Sequence, residues 1–178
     1  MEETAAWVRR MQDGDESAFD LLFNAWQSKA LRTAWLICGS RAMAEDVVQE
    51  AFVLCLLHIR ALKNPLSFKP WFYRILTRCA RDFLKKSRRY CEWSENMERY
   101  LPSASDAYPS DRPGYDILYC ALDSLGTKQR TAVVLFYFSG LSVKEIARTT
   151  ASPESTVKTR LFAARKQLQK RLKEYGYE

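Results

Sequence analysis

The residues best placed to do chemistry lie near the C-terminus, in Gly140-Leu141-Ser142-Val143-Lys144-Glu145-Ile146-Ala147 and Ser152-Pro153-Glu154-Ser155-Thr156-Val157-Lys158-Thr159-Arg160. Ser142 with Glu145 three residues on reads as a capping box, in which each side chain takes up a backbone N–H at a helix start. Ser152 reads as a second N-cap, followed by Pro153 at the first helical position, where a missing N–H leaves nothing unpaired. Two short capped helices with a tight break, the second basic, predict a helix-turn-helix whose second helix enters the DNA major groove. With Val157, Leu161, Ala164, Leu168 and Leu172 turned inward, Ser155, Lys158, Thr159 and Phe162 face outward near the helix start, with Thr156 among them. That end of the helix reads base edges. Arg160, Arg165 and Lys166 suit phosphates, which position a protein without conveying sequence.

A second constellation lies at residues 67–89. Phe72, Ile75, Cys79 and Phe83 recur at three- and four-residue steps, and Trp71, Arg74, Arg78, Arg81 and Lys85 do the same on the other side. Lys69 precedes this row, Lys86, Arg88 and Arg89 extend its charge, and Phe68, Tyr73 and Tyr90 lie near it. Cations tracking a backbone, with rings to accept unstacked bases, are what single-stranded nucleic acid requires.

A third lies on the helix expected over Arg41–Lys63, whose apolar stripe is Met43, Val47, Ala51, Phe52, Cys55 and Ile59. Glu45, Asp46, Gln49 and Glu50 gather opposite that stripe, one turn apart in pairs. Val53 and Leu57 continue toward the exposed side, and an acidic patch running into apolar residues suits docking of a basic protein partner.

The elements that must carry these surfaces are all helical. Three- and four-residue periodicity dominates the 178 residues and no period-two strand is evident. Helices are expected over Asp15–Cys38, ended by Gly39-Ser40, over Arg41–Lys63, and from a Ser67 cap to about Arg89. The pattern fades over residues 91–115, where Pro102, Pro109, Pro113 and Gly114 fall among Ser and Asp, the composition of a flexible linker. It returns at Tyr115–Leu125, Thr127–Ser139, the two capped helices and a long last helix to about Tyr175. The expected architecture is all-α: two small helical domains, residues 1–90 and 116–178, joined by a flexible linker over 91–115, the C-terminal domain a helix-turn-helix.

Charge follows the same division. The net charge is +7; residues 1–90 hold 15 Lys/Arg against 10 Asp/Glu, residues 91–120 hold 2 against 6, and residues 121–178 hold 11 against 5. Two basic blocks around an acidic segment fit a polyanion held at both ends. No apolar run approaches the roughly 18 residues of a membrane span, and the acidic start Met1-Glu2-Glu3-Thr4 lacks a signal-peptide pattern, so a cytoplasmic protein without membrane insertion is expected. Five cysteines without paired spacing and a single histidine, His58, predict no metal site and no cofactor. With no nucleophile motif or phosphate loop, no catalytic residue is assigned and the chain is not expected to be an enzyme.

Three surfaces in this order resemble the small two-domain extracytoplasmic-function (ECF) sigma factors of bacterial RNA polymerase, over nearly the whole chain. Ala44-Glu45-Asp46-Val47-Val48-Gln49-Glu50-Ala51-Phe52 is similar to the family's helix that docks on the polymerase. Phe68-Lys69-Pro70-Trp71-Phe72-Tyr73-Arg74-Ile75 with Arg81-Asp82-Phe83-Leu84-Lys85-Lys86 resembles its promoter-melting and −10-reading segment. Leu125 through Arg130 and Gly140 through Arg165 resemble its −35-reading region. The resemblance implies core RNA polymerase and promoter DNA as partners, and an anti-sigma factor as a further one. By it, Glu45, Asp46, Gln49, Glu50 and Val53 would hold the polymerase. Lys69, Trp71, Tyr73, Arg74, Arg78, Arg81, Lys85 and Lys86 would hold the opened −10 strand. Ser155, Thr156, Lys158, Thr159, Arg160, Phe162 and Arg165 would engage the −35 duplex. Arg78 stands where the family often has Asn, and Ala151 and Ser155 stand where it commonly has Gly. The stretch Gly140–Lys158 also resembles response-regulator output domains, which leaves a stand-alone helix-turn-helix regulator as the alternative. The N-terminal half lacks the strand–helix alternation of a receiver domain.

Overall fold

Why α-helices form here is plainest in the longest apolar stripe, Ala18, Leu22, Trp26, Ala30, Ala34 and Ile37, all buried. Steps of three and four place them on one side of a single helix. In a computed structural model of the chain, residues 2–93 and 115–174 are described, with the side chains of 88–93 and 115–117 excepted. The elements are α1 (Glu2–Gln12), α2 (Ser17–Cys38), α3 (Arg41–His58), α4 (Phe68–Trp93), α5 (Tyr115–Asp123), α6 (Thr127–Val133), α7 (Val143–Thr149) and α8 (Glu154–Glu174). No strand occurs among the described residues. Helices α1–α4 and α5–α8 form two helical units. Most of the predicted linker, 91–115, lies outside the described residues.

The N-terminal unit is built on α2, against which α1, α3 and α4 all pack. Helix α1, which the sequence reading did not foresee, buries Ala5, Val8 and Met11. Its last side chain, Gln12, donates to the carbonyls of Ile59 and Leu62 at 2.9 and 2.8 Å. Gly39 closes α2 in the left-handed conformation (φ 76°), donating its N–H to Trp35. Ser40 caps α3 by accepting from the Met43 N–H. The expected Ser67 cap is displaced: Asn64 accepts from the Leu66 N–H at 3.0 Å and starts a 3₁₀ turn, Pro65–Ser67, that leads into α4. Cys55 and Cys79 are buried and Cys38 is nearly so. Burial pushes the thiols of Cys38 and Cys55 up to about 12.

In the C-terminal unit, α6 does not continue as an α-helix to Ser139. Residues Val134–Phe138 form one widened π turn, closed by Ser139 N–H to the Val134 carbonyl at 3.0 Å. Gly140 (φ 61°) then redirects the chain into α7. The break between α7 and α8 is a Schellman motif, with the Ser152 N–H on the Ala147 carbonyl at 2.9 Å. Ala151 occupies the left-handed position at φ 48°, where glycine is usual.

An L-residue in that conformation costs about 1–2 kcal/mol, and glycine's extra freedom in the unfolded chain returns about 0.5–1 of it. Ala151→Gly is therefore expected to stabilise the fold, raising Tm by about 1–4 °C for a chain of this size in thermal denaturation followed by circular dichroism. A lower Tm would show that the Ala151 methyl makes contacts outweighing its strain.

Candidate nucleic-acid and protein interfaces

On α3, Ala44, Val47, Val48, Ala51, Phe52 and Cys55 face the core. The opposite side carries Glu45, Asp46, Gln49, Glu50 and Val53, all exposed. Asp46, Gln49, Glu50, Val53, Leu56 and Leu57 follow one another at helical steps, so acidic and apolar groups share one stripe. Val53, Leu56 and Leu57 are 54, 50 and 69% exposed. Leu56 was not singled out in the sequence, although its spacing from Val53 was a usable signal. Glu45 sits at the rim, paired with Arg41 at 3.0 Å.

On α4, Arg74, Arg78, Arg81, Lys85 and Lys86 are exposed. From Arg74 to Lys85 the row runs about 16 Å along the helix, close to the rise of five stacked nucleotides. Asp82 lies between Arg78 and Arg81 at 3.9 and 3.5 Å, and Lys86 sits over the Phe83 ring at 5.6 Å. The extension expected through Arg88, Arg89 and Tyr90 lies outside the described side chains.

Three members of the expected surface are placed otherwise. Tyr73 is buried (3% exposed) with its ring 6.1 Å from Trp26, so it offers no face to a base; this corrects its assignment. The reason is the width of the buried arc: α4 packs against both α2 and α3, which takes Phe72, Tyr73 and Leu76 inside together. Trp71 is half-buried, its ring 6.0 Å from Phe68. Lys69 turns to the C-terminal unit, donating to the Gly140 carbonyl at 3.1 Å.

On α8, Val157, Leu161 and Ala164 are buried, and Ser155, Lys158, Thr159 and Phe162 are exposed, Phe162 at 71%. Thr156 is half-buried. The capping box at α7 is complete: Ser142 accepts from the Glu145 N–H and Glu145 accepts from the Ser142 N–H. Ser152 is used differently from the expected cap, its hydroxyl donating to Thr150 at 3.2 Å and accepting from Arg160 at 3.0 Å. Arg165 donates to the Tyr137 hydroxyl at 2.5 Å and lies over the Phe136 and Tyr137 rings. These two arginines thus brace the unit, leaving Lys158 and Lys166 as the unpaired cations on this side of the helix.

A cationic row and a helix-turn-helix on one chain define a DNA-binding protein, and comparison with known proteins gives its family. The description "Sigma-70 region 2" matches residues 22–90 and "Sigma-70, region 4" matches residues 115–168. The RNA polymerase sigma factor SigV of Bacillus subtilis is 34% identical over 135 residues, covering 76% of this chain and 79% of its own. The RNA polymerase sigma-H factor of Pseudomonas aeruginosa is 31% identical, covering 96 and 94%. A solved sigma factor RpoE from Bartonella quintana, in complex with the anti-sigma factor NepR, has the same fold (TM-score 0.77, 23% identity, 87% of this chain and 96% of that one). The chain belongs to the sigma-70 family, in its ECF group. Its function is promoter-specific initiation of transcription with RNA polymerase.

Burial opposes the charge of Glu145, but the hydrogen bonds from Ser142, with Lys69 and Arg148 nearby, outweigh it and hold the carboxyl below its ordinary value. A lowered carboxyl stabilises the fold above its unfolded pKa and loses that contribution as pH falls through the folded one. Glu145→Gln is accordingly expected to be less stable than the native chain at pH 7 in urea denaturation, with the gap closing below about pH 4. A gap independent of pH would mean that the capping box works without the charge.

Proposed function

We propose a division of labour among the three surfaces. The stripe from Asp46 through Gln49, Glu50 and Val53, with Leu56 and Leu57, docks core RNA polymerase. Arg74, Arg78, Arg81, Lys85 and Lys86 hold the opened −10 strand, with Lys69 and Trp71 at the head of the row. The start of α8, Ser155, Thr156, Lys158, Thr159 and Phe162, reads the −35 duplex. Residues 1–90 and 116–178 act as separate DNA-engaging domains. The chain works in the cytoplasm and catalyses no reaction of its own, polymerisation being the chemistry of its partner. An anti-sigma factor regulates it, a reading supported by the Bartonella relative of the same fold.

The observation that carries the polymerase assignment is the continuity of acidic and apolar groups on α3. Charge steers encounter and desolvated apolar groups supply most of the affinity, and three large aliphatic side chains exposed in one stripe have no partner in the core. The α4 row is supported by its rotation, which turns five cations to solvent while the rings of the same helix anchor it.

Asp46 is exposed, so Asp46→Arg is expected to leave the fold intact and abolish co-elution with core RNA polymerase in gel filtration; undiminished co-elution would remove α3 as the docking surface. Lys158→Ala is expected to cost about 1–3 kcal/mol in discrimination between promoter and mismatched duplex, measured as a ratio of affinities at fixed salt. A uniform loss over all sequences would make Lys158 a phosphate contact.

A further inference from the structure

The C-terminal unit covers two places on the N-terminal one. At the end of α2, Arg130 donates to the Leu36 carbonyl while also pairing with Asp123. Nearby, the Thr33 and Ser139 hydroxyls meet at 3.1 Å, both buried. Thr33 donates to the Lys29 carbonyl, which leaves Ser139 as the donor between them. Trp35 meets the Tyr119 ring edge-on at 4.5 Å, and Arg32 lies over Phe138 at 5.4 Å. At the start of α4, Lys69 donates to Gly140 and Thr149 to the Pro70 carbonyl at 3.4 Å, and α7 packs against the helix.

The second place is the head of the cationic row. Lys69 is committed to a carbonyl of the other unit and lies close enough to Glu145 to lower its carboxyl. A strand running along Arg74–Lys85 would meet α7 before it reached Lys69 or Trp71. The polar bonds of the seam are mostly side-chain donors on backbone carbonyls, which water can replace when the units part. A seam within one chain that mixes such bonds with apolar contact is of the kind that opens and closes.

We propose that this packing is an autoinhibitory latch, in which α7 and the Arg130 contact hold the DNA-facing start of α4 covered until the two units separate. The proposal rests on the reading of α4 given above. The closed form binds an opened strand through only part of its row, and apparent affinity falls in proportion to the open fraction.

The Thr33–Ser139 contact supplies the test. Replacing both residues by cysteine (T33C with S139C) puts two sulfurs where the oxygens now meet, within reach of a disulfide. The full chain is oxidised, with each single-cysteine variant as control, and titrated with a fluorescent single-stranded oligonucleotide. The cross-linked chain is expected to bind at least tenfold more weakly than the same sample after reduction, and Arg130→Gln several-fold more tightly than the native chain. In parallel, the cross-linked and reduced forms are given core RNA polymerase and genomic DNA of the source, and the locked form is expected to initiate at least tenfold less. Equal oligonucleotide affinity and equal initiation in the two forms would overturn the latch. Failure of the folded double variant to cross-link would overturn it as well, by showing that the units do not meet. Loss of polymerase binding in the reduced form alone bears on the docking stripe and leaves the oligonucleotide comparison to decide the latch.

Discussion

Trp26 meets three side chains of α4 at once: Phe68 at 5.1 Å, Phe72 at 5.9 Å and Tyr73 at 6.1 Å, all tilted toward edge-on. Phe52 of α3 closes the cluster against Phe72 at 4.9 Å. Rings in such geometry contribute about 0.5–1.5 kcal/mol per pair beyond the area they bury. Their larger effect is to fix one rotation of α4 about its axis. A helix turns 100° per residue, so an error of one position would bring Arg74 toward the core and Tyr73 out. The outward row on α4 and the outward stripe on α3 are two consequences of the same ring cluster.

Much of this was legible in the sequence because it is local. The Ser142–Glu145 box depends on residues three apart, and the stripes of α2 and α3 on residues three and four apart. Tyr73 was misread for a reason inherent to amphipathic helices. A helix packed on two neighbours buries a wider arc than a two-position stripe suggests, and Tyr73 lies on the edge of that arc. Ser152 looked like a cap by type and position, yet its hydroxyl is engaged by Arg160, eight residues on. Helix α1 went unnoticed because three small or medium residues, Ala5, Val8 and Met11, make a faint stripe.

The seam between the units was not legible at all. Thr33 and Ser139 are 106 residues apart, and neither type nor spacing marks them as partners. The same holds for Arg130, an ordinary basic residue in a basic block until its guanidinium is placed on the last turn of α2. There it meets carbonyls that the helix itself cannot satisfy and the negative end of the helix dipole. Charge counted along the chain pointed to nucleic acid for every cation alike. The fold divides them into those that face solvent and those, Lys69, Arg130, Arg160 and Arg165, spent on holding the protein's own shape.

The buried thiols have a consequence for the chemistry the chain can withstand. A thiol raised to about 12 is thiolate in about one molecule in 10⁵ at neutral pH, and thiolate is the form that peroxides, disulfides and soft metals attack. Cys38 and Cys55 sit at the heart of the N-terminal unit, where oxidation to a bulky, charged acid would break the packing. The apolar surroundings that exclude water also suppress the reactive form. The N-terminal unit is thus chemically quiet through its core, and can go on selecting start sites while exposed thiols elsewhere in the cell are being consumed.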